Sequence, residues 1–363
     1  MLNRMPLGGK LALLIVLAAL APASASPNDF SPEALIEGGH WKRLRALAEQ
    51  RVRANPNDAR ANYLLAYAKF EYGDYEGAQP LAEKAVKLDR NQADYHFILG
   101  AIYGRKAENS GNPFTKWSLA GKVKREFEAA AALDPSHVMA RMALIDFHLS
   151  APGMVGGDKD RARALADEIL RIDPARGWLA KARIARKQKQ TAELEGLYQK
   201  AVQSPGENYA ASMALSNFYA SAEQKKYDLA EKHARDALAA APDRVGAYVQ
   251  LAALYAAQQR WKELDEILSR AEKAVPDDLS PYFHAGRVLV QNNRDPQRAE
   301  RYLREYVTQP PEPNAPSLGA GHWRLGQALE KQGRVDEARS AYRDAVALDP
   351  KLDEAKKDLR RLR

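Results

Sequence analysis

Apolar residues recur along this chain at intervals of three and four, the spacing that gathers them on one stripe of a helix, and no stretch alternates strictly as a half-buried strand would. The clearest case is Gly319 to Pro350. Leu325, Gly326 and Leu329 share one face of a predicted helix, and Ala338, Tyr342 and Ala345 share one face of the next. Facing stripes of this kind make an antiparallel hairpin, and its helices approach to roughly 8–10 Å only where the crossing residues are small. Gly326, Ala338 and Ala345 are small, Tyr342 fills the remaining gap, and Gly333 permits the turn. Pro350 ends the second helix, because it has no amide proton and pushes Asp349 out of the helical region. One hairpin cannot bury both of its faces, so it must stack on neighbours.

The same pattern recurs upstream. Second helices are expected to stop near Pro56, Arg90, Pro135, Pro174, Pro205, Pro242, Pro276, Pro311 and Pro350, at intervals of 34, 45, 39, 31, 37, 34, 35 and 39 residues. Residues 26–56 read as an atypical opening helix pair, 57–311 as seven repeats and 312–318 as a proline-rich, stiff joint. The last repeat is 319–350, and 351–363 form a capping helix with Leu352, Ala355, Leu359 and Leu362 on one face. Excess length falls at two insertions, near 104–121 and 151–160. The glycines of the second insertion would let backbone amides approach an anion, but its spacing matches no phosphate loop, and a chain reversal is the simpler reading.

The 34-residue period and the order Leu325-Gly326, Leu329, Ala338, Tyr342, Ala345, Pro350 resemble a tetratricopeptide repeat (TPR). The run SLAGKVKREFEAAAALDP followed by APGMVGGDKDRARA is similar to exported bacterial proteins of the same class. The resemblance implies an all-α, right-handed superhelical solenoid of stacked antiparallel helix pairs, whose concave wall is made mostly by the first helix of each pair. By the family's pattern, positions three before and one and four after the small packing residue face that groove. In this chain the pattern selects Tyr63, Tyr67, Phe70, Phe97, Arg141, Arg183, Arg186, Met213, Asn217, Phe283, Arg287, Trp323 and Gln327. Aromatics and arginines are the residue types enriched at protein-binding hot spots. Arg141, Arg183 and Arg186 are expected to form one basic patch midway along the wall, suited to an acidic partner. Relatives that clamp a chaperone's C-terminal carboxylates use Lys and Asn where Tyr63 and Tyr67 stand, so that ligand class is not expected.

The N-terminus adds a location. Arg4 and Lys10 precede the apolar run Leu11 to Leu20, and Ala23-Ser24-Ala25 offers a small-x-small cleavage site, so residues 1–25 read as a secretory signal peptide. The run is about half of the ~20 residues a spanning helix needs, so no stable membrane insertion is expected after cleavage near Ser26. The expectation is a periplasmic or secreted protein. Cysteine is absent, which removes disulfides and thiol chemistry. The net charge of +8 becomes +6 once Arg4 and Lys10 leave, a surplus that tolerates acidic partners without calling for nucleic acid.

Catalysis has little to stand on. The seven histidines are scattered, no HExxH or GxSxG motif occurs, and no metal or other cofactor is expected. The basic run Lys181 to Lys189 lacks interleaved aromatics, so it reads as a solvated or groove-lining face. The function expected from these features is an exported scaffold that binds a protein or peptide in its groove, in the assembly of an envelope complex. Two other classes stay open: binding of an envelope glycan by the same aromatics, and an enzyme site within the 104–121 insertion.

Overall fold

The computed structural model describes residues 30–206 and 208–362, and the expected signal peptide lies outside them. Nineteen α-helices and no strand occur among the described residues. An opening pair, α1 (Pro32–Gly38) and α2 (Trp41–Ala54), is followed by eight hairpins. These are α3 (Ala59–Glu71) with α4 (Tyr75–Leu88), α5 (Ala93–Asn109) with α6 (Pro113–Leu133), α7 (Val138–Ser150) with α8 (Lys159–Ile172), and α9 (Pro174–Lys187) with α10 (Leu194–Gln203). Then come α11 (Asn208–Ala220) with α12 (Tyr227–Ala240), α13 (Val245–Gln258) with α14 (Trp261–Ala274), α15 (Ser280–Gln291) with α16 (Pro296–Tyr306), and α17 (Leu318–Glu330) with α18 (Val335–Leu348). The helix α19 (Asp353–Arg361) closes the stack, and the whole is an all-α TPR-type solenoid.

Local chemistry explains these boundaries. The side chains of Asp89, Asp134 and Asp349, each just past the end of a second helix, accept hydrogen bonds from the amides of Asn91 (3.0 Å), Ser136 (2.7 Å) and Lys351 (3.0 Å), turns that redirect the chain into the next first helix. Within hairpins, Gly73 and Gly333 turn the chain at φ 74° and 75°, which a side chain would strain. Where the two helices of a hairpin cross, glycine makes room for a large partner. A Cβ on Gly100 would lie 2.8 Å from the Phe127 ring, one on Gly286 2.6 Å from Leu303 Cγ, and one on Gly326 2.5 Å from Tyr342 Cε1.

Consecutive hairpins are joined by a repeated polar tie. A first-helix tyrosine donates its hydroxyl proton to a glutamate on the preceding second helix: Tyr103 to Glu83 (2.8 Å), Tyr219 to Glu195 (3.0 Å) and Tyr255 to Glu231 (2.9 Å). Burial alone would raise the Glu231 carboxyl. Hydrogen bonds from Arg260, Arg235 and Tyr255 outweigh it and hold the group below its ordinary range. The apolar core runs as a seam in three clusters that pass from Leu35 through Ile184, then from Ala182 to Leu254, then from Ala234 to Tyr342.

Two features depart from a plain stack. The opening pair lies against loops of the fifth to seventh hairpins, with Lys42 bonded to Glu312 and to the Asp277 carbonyl. The proline-rich segment read as a stiff joint is packed against α2, and Glu312 within it is only 4% exposed. The excess length near 104–121 forms no separate insertion: α5 and α6 absorb it by growing to 17 and 21 residues, where most helices of the array have 13 or 14.

Candidate partner-binding groove

The first helices α3, α5, α7 and α9 together line a cavity of about 1190 Å³ in the array's first half. Its side wall is the first two turns of α6, the part that exceeds the usual repeat. The sequence starts that helix early for a clear reason: Asn112 caps it by accepting from the Phe114 amide (2.9 Å), and Pro113 sits at the first helical position. Those added turns carry Phe114 and Trp117, 79% and 64% exposed. Across the mouth stands Met154, 90% exposed, on a short 3-10 turn, Gly153–Val155, between α7 and α8. These three are the most exposed large apolar side chains among the described residues, and two of them, Trp117 and Met154, line the cavity together with half-exposed Met139.

Beneath them the walls are aromatic and aliphatic. Tyr67 and Phe70 come from α3, Phe97 from α5, and Phe127, Met142 and Phe147 complete the floor. Trp41 of α2 supports Tyr67 from behind at a ring distance of 5.2 Å, and Phe97 packs on Phe127 at 5.9 Å. The rim is charged. Arg183 donates to Asp146 (2.9 Å) and Arg105 to Glu108 (2.8 Å), while Lys116 and Lys187 make no ion pair among the described residues. Burial pushes the Asp146 carboxyl up, with Arg183 and Lys187 pulling against it, and burial likewise pushes up Glu71, opposed by the Asn314 hydrogen bond and by Arg105.

The 151–160 segment frames the cavity and holds no open anion cradle. A Cβ on Gly157 would fall 1.8 Å from the Ala151 carbonyl oxygen, so the chain doubles back tightly there. His148 Nδ1 donates to the Gly156 carbonyl (2.9 Å), and Asp158 takes the first amides of α8, from Asp160 (2.9 Å) and Arg161 (3.0 Å), that an anion would need. Among the described residues no group of three His, Asp or Glu side chains is placed to hold a metal.

The thirteen residues expected in the groove divide. Tyr67, Phe70, Phe97 and Arg183 line the cavity. Tyr63 is buried and stacks on Tyr95 at 5.0 Å. The expected basic patch does not assemble, because its three arginines point to different partners. Arg141 is buried and turns to Glu168 (3.4 Å) on α8, Arg186 reaches the Tyr198 hydroxyl on α10, and only Arg183, with Lys187 one turn on, faces the cavity. In the second half, Met213 packs on the core and Asn217 is exposed. Phe283 is a core residue against Tyr306 (5.1 Å), and Arg287 lies beside His284 and Gln291. Trp323 and Gln327 both donate to Asp358 of α19, at 2.9 and 3.3 Å, so the capping helix occupies that stretch of wall. Trp117, Met139 and Met154 were missed from the sequence, although Asn112-Pro113 followed by Phe114 and Trp117 at three-residue spacing is a readable helix start.

Comparison with known proteins decides the family. A tetratricopeptide-repeat model matches residues 124–177 and 282–353, and a second one matches 59–92. The chain is a tetratricopeptide-repeat protein. The search of curated proteins found no match for this TPR chain. Among solved structures it is similar to the yeast Tom70, at 15% identity, covering 91% of this chain and 79% of that one with a TM-score of 0.45. It is also similar to the Cut9–Hcn1 hetero-tetramer of APC/C (14%, 91% and 88%, TM-score 0.37). A thermophilic TPR protein of Thermus thermophilus matches at 15%, covering 61% of this chain and 94% of that one, with a TM-score of 0.36. The TPR repeats make this chain a protein-interaction scaffold.

Proposed function

We propose that this TPR protein is exported and holds an apolar, acid-flanked segment of a protein partner in the cavity between α3 and α9, as a scaffold for an envelope complex. The observation that carries the reading is that exposed Trp117, Met139 and Met154 side chains line one apolar cavity of about 1190 Å³. Size argues for a peptide: small-molecule sites run to roughly 300–1,000 Å³, whereas a helix ~10 Å across fills such a space with about two to three turns. Exposed apolar side chains grouped at one mouth mark an interaction surface, and the surplus Lys116 and Lys187 on the rim favour acidic flanks. The Arg4/Lys10 flank and the Ala23-Ser24-Ala25 site support export.

Site-specific photocrosslinking tests the groove. A benzophenone side chain at Met154 should capture one discrete partner, and the Trp117→Ser/Met139→Ser pair should abolish the adduct with helicity unchanged. Capture from exposed Leu348 on α18, with none from Met154, would move the binding surface away from the cavity. Mass spectrometry of the native protein should find an N-terminus near Ser26; the intact Met1 form alone, in the cytoplasm, would overturn export.

A further inference from the structure

A solenoid needs contacts only between adjacent repeats. This one adds a second kind. The opening pair sits on three successive inter-hairpin loops: Gly38 lies beside Asp243, Arg43 pairs with Asp277, and Lys42 meets Glu312, 270 residues away. The local chemistry of α2 shows that the contact is built in. His40, at its N-cap, makes no side-chain capping bond, and while the Trp41 amide reaches the Gly39 carbonyl, the Lys42 amide has no local acceptor. Glu312 supplies one: Oε2 accepts from the Lys42 amide at 3.2 Å, making a cap from the far end of the chain. Lys42 Nζ donates to the Asp277 carbonyl (2.6 Å), and Gln309 Nε2 donates to the Pro276 carbonyl (2.9 Å), which ties the strap 309–317 to the same loop.

The closure also reaches the cavity. Asn314 of the strap donates to Glu71 Oε2 (3.3 Å), and Glu71 lines the cavity. Trp41 of α2 packs against Tyr67, which lines it too. The opening pair is held at this junction by ion pairs and single hydrogen bonds rather than by a shared apolar core, because the cluster that contains Leu35, Trp41 and Leu44 includes no residue of the loops it meets. Elements held in that way belong to the low-stability end of a fold, the part that opens first.

We propose that α1–α2 and the strap 309–317 form a latch that closes the superhelical turn, and that releasing it moves α3 and widens the cavity mouth through Tyr67 and Glu71. The second half rests on the cavity being the partner site; the latch itself does not. A partner that prefers the open or the closed mouth would then shift the latch equilibrium in proportion to that preference.

Spin-label distances test both halves without a ligand, and the absence of native cysteine makes the labels unique. Labels at Gln50→Cys and Lys273→Cys report the latch, and labels at Glu76→Cys and Lys187→Cys report the mouth; all four positions are exposed. The parent should give one narrow distance for each pair. Arg43→Glu with Glu312→Lys should add a longer population to both, and Arg43→Glu with Asp277→Arg should return both to the parent distribution. Asn314→Ala, which leaves every charge in place, should loosen the mouth pair alone. Unchanged latch distances in Arg43→Glu/Glu312→Lys at full helicity would overturn the latch. Longer latch distances with an unmoved mouth would overturn the coupling. Neither result depends on the partner, whose site the photocrosslink at Met154 tests separately.

Discussion

At Tyr255 one hydroxyl bridges two hairpins, and Glu231, which receives it, also binds Arg235 and Arg260. Removing the hydroxyl leaves the carboxylate with two guanidinium partners, so Tyr255→Phe should cost only about 0.5–1.5 kcal/mol, the net value of one hydrogen bond. Glu231→Ala should cost more, because it strips all three donors at once, and denaturant titration of both variants checks the order. Gly326 makes the opposite point. With Tyr342 Cε1 2.5 Å from the place where a Cβ would stand, Gly326→Leu overpacks the crossing and should cost about 1–3 kcal/mol. A melting temperature equal to the parent's would mean that the crossing has slack the structure does not show.

The helices themselves were legible because each presents a stripe of small and aliphatic residues at a fixed period, and the stops at Asp349-Pro350 and its equivalents are local chemistry. What failed to show was anything whose cause lies far along the chain. Phe114 and Trp117 were hidden because a period of 34 residues turns added helical turns into an apparent insertion, although Asn112-Pro113 carried the start signal. Glu312 sits among prolines in a stretch that reads as an extended, stiff joint; only the uncapped end of α2 gives it a burial site. Burial pushes its carboxyl up to about 8, with Lys42 opposing and Asp277 and Asp278 adding to the rise. His40, Arg43, Arg45, Tyr72 and Asp243 are the other charged or titratable groups around this junction.

The sign follows from that raised value. A carboxyl with a higher pKa when docked stabilises the docked state fully below its free value near 4.3, and the contribution is lost as pH rises through about 8. His40, held low by burial and by Arg43, acts the other way and weakens docking as pH falls below its free value near 6.5. The distance between α2 and the Asp277 loop should therefore lengthen between pH 6.5 and 9, and Glu312→Gln should flatten that change. A change of equal size in Glu312→Gln would assign the response to another group.

Taken whole, the molecule is a solenoid with one extra bond in its connectivity, and this alters how damage should spread. In a plain array the overpacking at Gly326 would fray α17 to α19 and stop. Here the strap leaves α16, docks on α2 and enters α17, so hydrogen exchange in Gly326→Leu should speed up in α1–α2 as well, while α7 to α10 keep their protection. Acceleration confined to α17–α19 would show the two regions to be independent.

That closure also makes the protein count. Repeat arrays tolerate the gain or loss of a unit because one more storey changes only the height, yet here Lys42 must arrive opposite Glu312 and Arg43 opposite Asp277 after a set number of hairpins. Removing one pair would bring a different loop beneath α2, much as a gear with a missing tooth no longer meshes. The number of repeats, free to drift in an open array, is in this molecule part of the fit.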